Sequence, residues 1–383
     1  MKNLAVVTGT RAEFGLLQPL LEKIAADPDT NLQLVVTGMH LSPEFGMTVN
    51  EVRDAGYEIA EEIEMLLSSD TGVGTAKSVG LATIGFADAL HRLRPDWLVV
   101  LGDRFEVLAA ATAALLVGVP IAHIHGGERT EGAIDESIRH SVTKLAQLHF
   151  VSTSEYRKRV IQLGERPDTV FHVGAIGLDR IDHRSLASRT EIASSLGLDQ
   201  SRRWCTVTYH PATTEPDAIQ SRVGALIGAM RLEPEWQFVI TKANADQGGR
   251  LVNRLLADFV SGVENAFLFD SLGSHRYLSC VHHSDVVLGN SSSAIIEAPQ
   301  LGTPSVDVGD RQRGRVRGDS VTHCSETSEE IRAALRLAGV RKHSGKKFGN
   351  PYYVGGAAEV VFGALKTKKA IRAKPFYDLE FSI

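Results

Sequence analysis

The eighteen residues HIHGGERTEGAIDESIRH, positions 123–140, hold three histidines, four carboxylates and two arginines. Side chains of these types serve acid–base proton transfer, anion binding or metal ligation. From Ile134 onward, Ile134, Ile138, Val142 and Leu145 recur at helical spacing, which predicts an amphipathic helix. In that register Asp135 and Arg139 are four apart, as are Glu136 and His140, so each pair can touch. The bland alternative is a surface helix whose first-turn acids complement its dipole. Position argues against it. The preceding run VGVPIAHIH reads as a buried strand, and the turn GGERTEG puts Glu128, Asp135 and Arg139 at its carboxyl end. His123 and His125 alternate along that strand, but no thiolate or obvious third ligand follows, so a metal site is not expected.

Other polar clusters also close apolar runs. TGTRAEFG (8–15) follows a strand and opens a helix, a natural anion site. It carries only Gly9 and Gly15 and no Gly-Lys-Ser/Thr ending, so it is neither a dinucleotide fingerprint nor a P-loop. Arg11 there can bind a phosphate or simply face solvent in a capping turn. In GNSSSAIIEAPQLGTP (289–304), Ser291, Ser292 and Ser293 exceed what one N-cap needs, and with helix amides they would cradle a diphosphate. Glu297, one turn on, can accept both hydroxyls of a ribose. Asp103, in VVLGDRFEVLAAA, is either an N-cap or a reacting carboxylate. His210, in VTYHPATTEP, ends another strand pattern.

The elements that must position these groups alternate from end to end. NLAVVTGT, LQLVVTG, DWLVVLGD, PIAHIHGG and LHFVSTS read as buried strands, with helical patterns such as GLLQPLLEKIAAD and VLAAATAALLVG between them. A second series runs through RWCTVTYHP, WQFVITKAN, AFLFDSL, DVVLGNSSS and TPSVDVGD. The polar region LDRIDHRSLASRTEIASSLGLDQSRR between them is the linker candidate. This alternation predicts an α/β fold of two Rossmann-like, doubly wound domains with parallel sheets. Ligands of such folds bind at the strands' carboxyl ends, so an interdomain active-site cleft is expected. The expected domains are 1–178 and 179–364, with a C-terminal helix at about 365–383 packing back on the first.

Bulk properties agree. The 383 residues are 43% hydrophobic and 23% charged, enough apolar material for two cores. A net charge of −5 gives no reason to expect a nucleic-acid or membrane partner. The basic runs RQRGRVRG and KTKKAIRAK read as solvated faces. Cys205, Cys280 and Cys324 are widely spaced and odd in number, which suits a reducing cytoplasm and argues against disulfides or zinc. MKNLAVVTGT is not a signal peptide, and no segment approaches the ~20 apolar residues of a membrane span.

Taken together, TGTRAEFG, TGMHLSPEFG, LGDRFE, HIHGGE…GAIDESIRHSVTKLAQLHF, HPATT and GNSSSAIIEAPQLGTP resemble the hydrolysing UDP-N-acetylglucosamine 2-epimerases of bacterial sialic- and legionaminic-acid pathways. The match runs in order from residue 4 to about 355. The resemblance implies a glycosyltransferase-B-like pair of domains, a UDP-sugar substrate, no metal or nicotinamide cofactor, and a homodimer or homotetramer. It implies conversion of UDP-N-acetylglucosamine and water to N-acetylmannosamine and UDP, by elimination to a glycal followed by hydration. By motif match, Asp103, Glu128 and Asp135 are the acid–base candidates, Arg139 orients carboxylates, and His210 assists diphosphate departure. Arg11, Ser291, Ser292, Ser293 and Glu297 would hold UDP. Arg315, in GDRQRGR, adds a phosphate or sugar contact, and His40, in TGMHLSPEFG, a sugar contact. One departure matters: the resemblance puts His125 where the animal enzyme and the non-hydrolysing epimerases carry a glutamate given an acid–base role, and a histidine can shuttle a proton near neutral pH. The HIHGGE pattern resembles bacterial relatives acting on UDP-2,4-diacetamido-2,4,6-trideoxyglucose, so that sugar is the alternative substrate. A glycosyltransferase or a non-catalytic nucleotide-sugar sensor would share the serine cradle but need no such carboxylate set.

Overall fold

The computed structural model describes residues 1–69, 71–131, 133–183, 185–211, 218–244, 246–345, 347–369 and 374–380. The chain divides into two compact units. Unit 1 comprises Met1–Glu128, Asp135–Arg180 and Tyr352–Ile383, and unit 2 comprises Arg129–Ile134 and Ile181–Pro351.

In unit 1 the strands β1 (Lys2–Thr8), β2 (Thr30–Thr37), β3 (Ile59–Ile63), β4 (Trp97–Leu101), β5 (Ile121–Ile124), β6 (Leu148–Val151) and β7 (Val170–His172) form one sheet in the order β3-β2-β1-β4-β5-β6-β7. All pairs are parallel, with Leu4 opposite Leu32 on one side and Trp97 on the other. Alternation along each strand gives the sheet two apolar faces. Leu4, Val6, Leu34, Val36 and Val99 pack with the helices Arg11–Ala26 and Ala357–Thr367. Ala5, Val7, Val35, Leu98 and Val100 pack with the helices Gly72–Leu93 and Phe105–Val117. Burial on both faces explains why the central strands read as unbroken apolar runs.

Unit 2 repeats the plan. Strands β8 (Arg203–Thr208), β9 (Trp236–Thr241), β10 (Ala266–Phe269), β11 (Val286–Gly289), β12 (Ser305–Val308) and β13 (Val321–Cys324) lie in the order β10-β9-β8-β11-β12-β13, all parallel. Both sheets therefore reverse direction next to their first strand, at β1/β4 and at β8/β11. These are the topological switch points where ligands of this fold class bind. The fold class expected from the alternation is the one observed. Cys205, Cys280 and Cys324 are buried and unpaired, and no helix among the described residues is long and apolar enough to cross a membrane.

Four expectations differ from the structure. Strands β3, β7 and β13 have no counterpart in the sequence reading: each lies at a sheet edge, and IAEEI, VFH and VTHC are half-exposed and partly polar. The linker candidate contains a helix, Arg189–Leu196, started by a Ser188–Glu191 capping box and burying Ile192, Ala193 and Leu196 beside Trp204. Its polar look comes from residues with definite partners: the Arg189 guanidinium lies 3.9 Å from the Trp204 ring centroid and donates to the carbonyls of Arg202 and His283, each at 2.7 Å. The last helix spans Ala357–Thr367, earlier than 365–383, and residues 374–380 have no regular structure. Ile134, assigned to the buried helix face, is 48% exposed.

Gly289 ends β11 at φ +133°, and a Cβ there would sit 2.0 Å from the Thr208 carbonyl oxygen of the neighbouring strand. No rotamer relieves a clash with backbone. Gly289→Ala is expected to destabilise the protein by about 2–4 kcal/mol, read as a lower denaturant midpoint at unchanged m-value.

Candidate active site

The polar residues singled out in the sequence gather at the carboxyl ends of the two sheets, one group in each unit. In unit 1, β4 ends at Leu101, Gly102 turns the chain at φ +78°, and Asp103 follows. Arg104, not Asp103, occupies the N-cap of the helix Phe105–Val117. Asp103 instead receives the Arg139 guanidinium: Nε donates at 2.8 Å and Nη2 makes a second, shorter bond to the same oxygen. Arg139 is fully buried. Its Nη1 donates to the Glu128 carbonyl and to Glu136 Oε2, each at 2.9 Å. Glu136 also accepts from His140 Nε2 at 3.1 Å. The helix Asp135–Leu145 thus delivers a cation into the turn after β4, and Asp135, at its first position, is half-buried. The expected Glu136–His140 pair forms. The acidic partners named here for Arg139 are Asp103 and Glu136, at spacings of 36 and three residues.

The turn after β5 is shaped by close approach. A Cβ on Gly127, at φ +76°, would lie 2.6 Å from the Tyr156 carbonyl oxygen. His125 has φ +67°, a left-handed conformation that side chains other than glycine's seldom adopt. Strain of this kind clusters at functional sites. Its Nδ1 lies 3.6 Å from Glu128 Oε1, which also accepts from Ser152 Oγ at 2.8 Å. Glu128 is 1% exposed and His125 8%. His123 belongs to the core: Nε2 meets the Gly102 carbonyl at 2.7 Å and Nδ1 the Thr143 hydroxyl at 3.2 Å, while burial holds its pKa down at about 3.

Two predicted residues are engaged elsewhere in unit 1. Arg11, in the first turn of the helix capped by Thr10, pairs with Glu51 at 2.6 Å. His40 is fully buried with both ring nitrogens in use, Nε2 to Thr8 Oγ1 at 3.1 Å and Nδ1 to Thr48 Oγ1 at 2.8 Å. Burial lowers its pKa to about 4, so it is a neutral brace between two turns, not the direct sugar contact expected of it.

In unit 2, Asn290 ties the ends of β8 and β11 together. Its Oδ1 accepts the His210 amide at 2.7 Å and its Nδ2 donates to the His210 carbonyl at 2.8 Å. His210 Nδ1 accepts the Asn244 amide at 3.4 Å, leaving Nε2 as the ring's donor position. Ser292 is the N-cap of the helix Ser293–Gln300 but makes no side-chain capping bond. The Ser293 amide instead donates to Ser291 Oγ at 3.4 Å. The three hydroxyls thus exceed what capping uses. The half-buried Tyr277 hydroxyl donates to Ser293 Oγ at 2.8 Å. Glu297 follows Ser293 by one turn and is half-buried. Gln312 Nε2 and Arg311 Nη1 donate to the Asn290 carbonyl at 2.9 and 3.2 Å, and Arg315 closes the same loop through its amide to the Gln312 carbonyl at 3.2 Å. In the HPATT motif, residues 212–214 lie outside the described residues.

Sequence reasoning gave no role to Asn290, Tyr277 and Gln312, nor to Glu136 beyond its His140 pair. Glu136 had a signal in its three-residue spacing from Arg139. Asn290 sits inside a quoted motif, but its partner is 80 residues away.

Two such units with polar clusters at their switch points make this an α/β protein of the kind that binds nucleotide-linked ligands. The fold is that of a solved Neisseria meningitidis UDP-GlcNAc 2-epimerase bound to UDP-GlcNAc, with a TM-score of 0.79 over 96% of this chain and all of that one, at 19% identity. Residues 22–366 match the family described as UDP-N-acetylglucosamine 2-epimerase, and the chain belongs to that family. It is 39% identical over 321 residues to the Campylobacter jejuni GDP/UDP-N,N'-diacetylbacillosamine 2-epimerase (hydrolyzing), covering 84% of this chain and 83% of that protein. It is 35% identical over 370 residues to the Legionella pneumophila UDP-N,N'-diacetylbacillosamine 2-epimerase (hydrolyzing), covering 96% of each.

Replacing Arg139 by Met leaves Asp103 and Glu136 without their buried cation. R139M is expected to lose about 3–5 kcal/mol of unfolding free energy by urea titration, and adding D103N should recover part of it. Simple additivity of the two substitutions would show that the pair is not coupled.

Proposed function

We propose that this chain is a hydrolysing UDP-sugar 2-epimerase. The observation that carries the reading is Arg139, buried in unit 1 and fixing Asp103 beside the His125–Glu128 turn, in a chain that belongs to the epimerase family. A transferase or a sensor would have no use for that set.

The reaction removes the carbon-2 proton of a UDP-linked 2-acetamido sugar as the carbon-1–oxygen bond to UDP breaks, giving a glycal and UDP. Water then adds its oxygen at carbon 1, and a proton returns to carbon 2 on the opposite face, releasing the manno sugar. Acids and bases on both faces of the ring are needed, each worth about 10²–10⁴-fold. Asp103 and Asp135 are the carboxylates with open surface for this work. Glu128, almost wholly buried, acts through His125: its carboxylate beside Nδ1 stabilises the imidazolium formed when the ring takes a proton. Unit 2 supplies the diphosphate cradle, with the hydroxyls of Ser291, Ser292 and Ser293 and the His210 Nε2 proton meeting the charge that grows on the leaving group. Glu297 accepts the ribose hydroxyls, and Arg315 adds a cationic contact to UDP.

Of the two candidate sugars, the 39% and 35% relatives favour UDP-2,4-diacetamido-2,4,6-trideoxyglucose. UDP-N-acetylglucosamine is supported by the family description. Either product would feed nonulosonic-acid synthesis in the cytoplasm, a location that three unpaired buried cysteines suit. We propose a homo-oligomer, a dimer or a tetramer: Ile84 and Leu116 are 66% and 77% exposed on adjacent helices of unit 1.

Incubation in deuterated water with each UDP-sugar, and with the GDP form of the second, tests the reading. Free nucleotide and a carbon-2-deuterated manno sugar are expected from the diacetamido donor. Gluco product, or no release without an acceptor, would defeat it. Asp135→Asn should lower kcat by about 10²–10⁴-fold while UDP affinity by calorimetry stays within about threefold. Retained turnover would remove Asp135 from the mechanism.

A further inference from the structure

Glu13 and Glu106 lie just past the carboxyl ends of β1 and β4, at the switch point of unit 1, and have no part in the chemistry above. Glu13 is 5% exposed and Glu106 not at all. They flank a single turn. Glu13 Oε2 accepts the Gly9 amide at 2.6 Å, while a Cβ built on Gly9 would stand 2.6 Å from Glu106 Oε1. Gly38, at φ +60°, closes over the same turn, its Cβ position 2.9 Å from the Gly9 carbonyl oxygen. Arg104 Nε donates to Glu106 Oε1 at 2.6 Å. Glu13 Oε1 and Glu106 Oε2 are buried and have no hydrogen-bond partner among the described residues. The charged groups acting on Glu13 are Glu106 and Arg104. Those on adjoining turns are committed elsewhere: Arg11 to Glu51, Asp103 to Arg139, and His40 held neutral between two threonines. One guanidinium for two buried carboxyls leaves one negative charge in excess, where an unpaired charge is costly.

We infer that Glu13 and Glu106 are positioning residues, a buried carboxyl pair holding one proton on Glu13, that clamps the Gly9 turn against the turn carrying Asp103. Burial foremost, with the Glu106 charge added, pushes the Glu13 carboxyl up to about 8, against the lowering pull of the Gly9 amide. At neutral pH Glu13 is then uncharged, and glutamine is its isostere. Only the kinetic consequence rests on the epimerase reading.

Two measurements test the pair. Carbon-13 carboxyl NMR of glutamate-labelled protein should show one carboxyl titrating near pH 8, absent in Glu13→Gln. Because the folded value lies above the ordinary 4.5, the stability contributed by this proton is full below about pH 4.5 and is lost as pH rises through about 8. The unfolding midpoint of the wild type should therefore fall across that window relative to E13Q. In turnover, E13Q should keep kcat within about threefold at pH 7 and lack the wild type's loss of kcat/KM above pH ~8, whereas Glu13→Ala should lose about 10–100-fold in kcat through misplacement of the Asp103 turn. A folded protein with no carboxyl titrating above pH ~7, or E13Q as impaired as E13A with an unchanged pH profile, would overturn the inference. Should no nucleotide sugar be turned over, the epimerase reading fails, and the carboxyl titration still decides whether the proton is there.

Discussion

The arrangement of unit 1 depends on one buried guanidinium. A fully buried arginine is tolerable only when its charge and its planar donor set are matched. Arg139 meets that demand from three pieces of chain: the turn after β4 through Asp103, the turn after β5 through the Glu128 carbonyl, and its own helix through Glu136. Fork geometry means that none of these can shift without unmaking the others. The consequence is a preorganised carboxylate at a strand end, and preorganised charge is what stabilises a transition state without reorganisation at the moment of reaction.

A second constraint is backbone proximity. At the ends of β1, β5 and β11 a Cβ on Gly9, Gly127 or Gly289 would strike Glu106, the Tyr156 carbonyl or the Thr208 carbonyl. These glycines let neighbouring segments touch main chain to main chain, or main chain to carboxylate. Polar groups from different strands then fall within hydrogen-bond range. Asn290 shows the gain. With Gly289 allowing β11 to close on β8, its amide can read both the amide and the carbonyl of His210. That fixes the histidine's backbone before any ligand arrives.

Much of this was legible in the chain because central parallel strands bury both faces and end abruptly in polar turns. Every interior strand announced itself as an apolar run, and the turns after β1, β2, β4, β5, β8, β11 and β12 held the residues singled out for chemistry. Legibility failed where the physics is shared with solvent or with distant residues. The edge strands β3, β7 and β13 keep one side open and so carry charges and polar groups that break the pattern. The helix Arg189–Leu196 looked like linker because its cationic residue packs on Trp204, which no local pattern reveals. The pairing of Arg139 was read locally, yet the partner that matters structurally lies 36 residues upstream. His40 matched a motif, and only its burial between Thr8 and Thr48 shows that both nitrogens are used up.

His125 is where sequence comparison and structure bear on the same question. The resemblance read from the sequence puts His125 where a glutamate is expected, which by itself subtracts a carboxylate. The turn geometry offsets the subtraction. With φ at +67° the chain doubles back through two glycines, and Glu128 returns to within 3.6 Å of the imidazole. Ser152 holds that carboxylate from the other side at 2.8 Å. A carboxylate beside an imidazole stabilises the ring in its protonated form. The strained turn is what makes the exchange work: in an extended backbone residues 125 and 128 would point to opposite faces, and the dyad would not form.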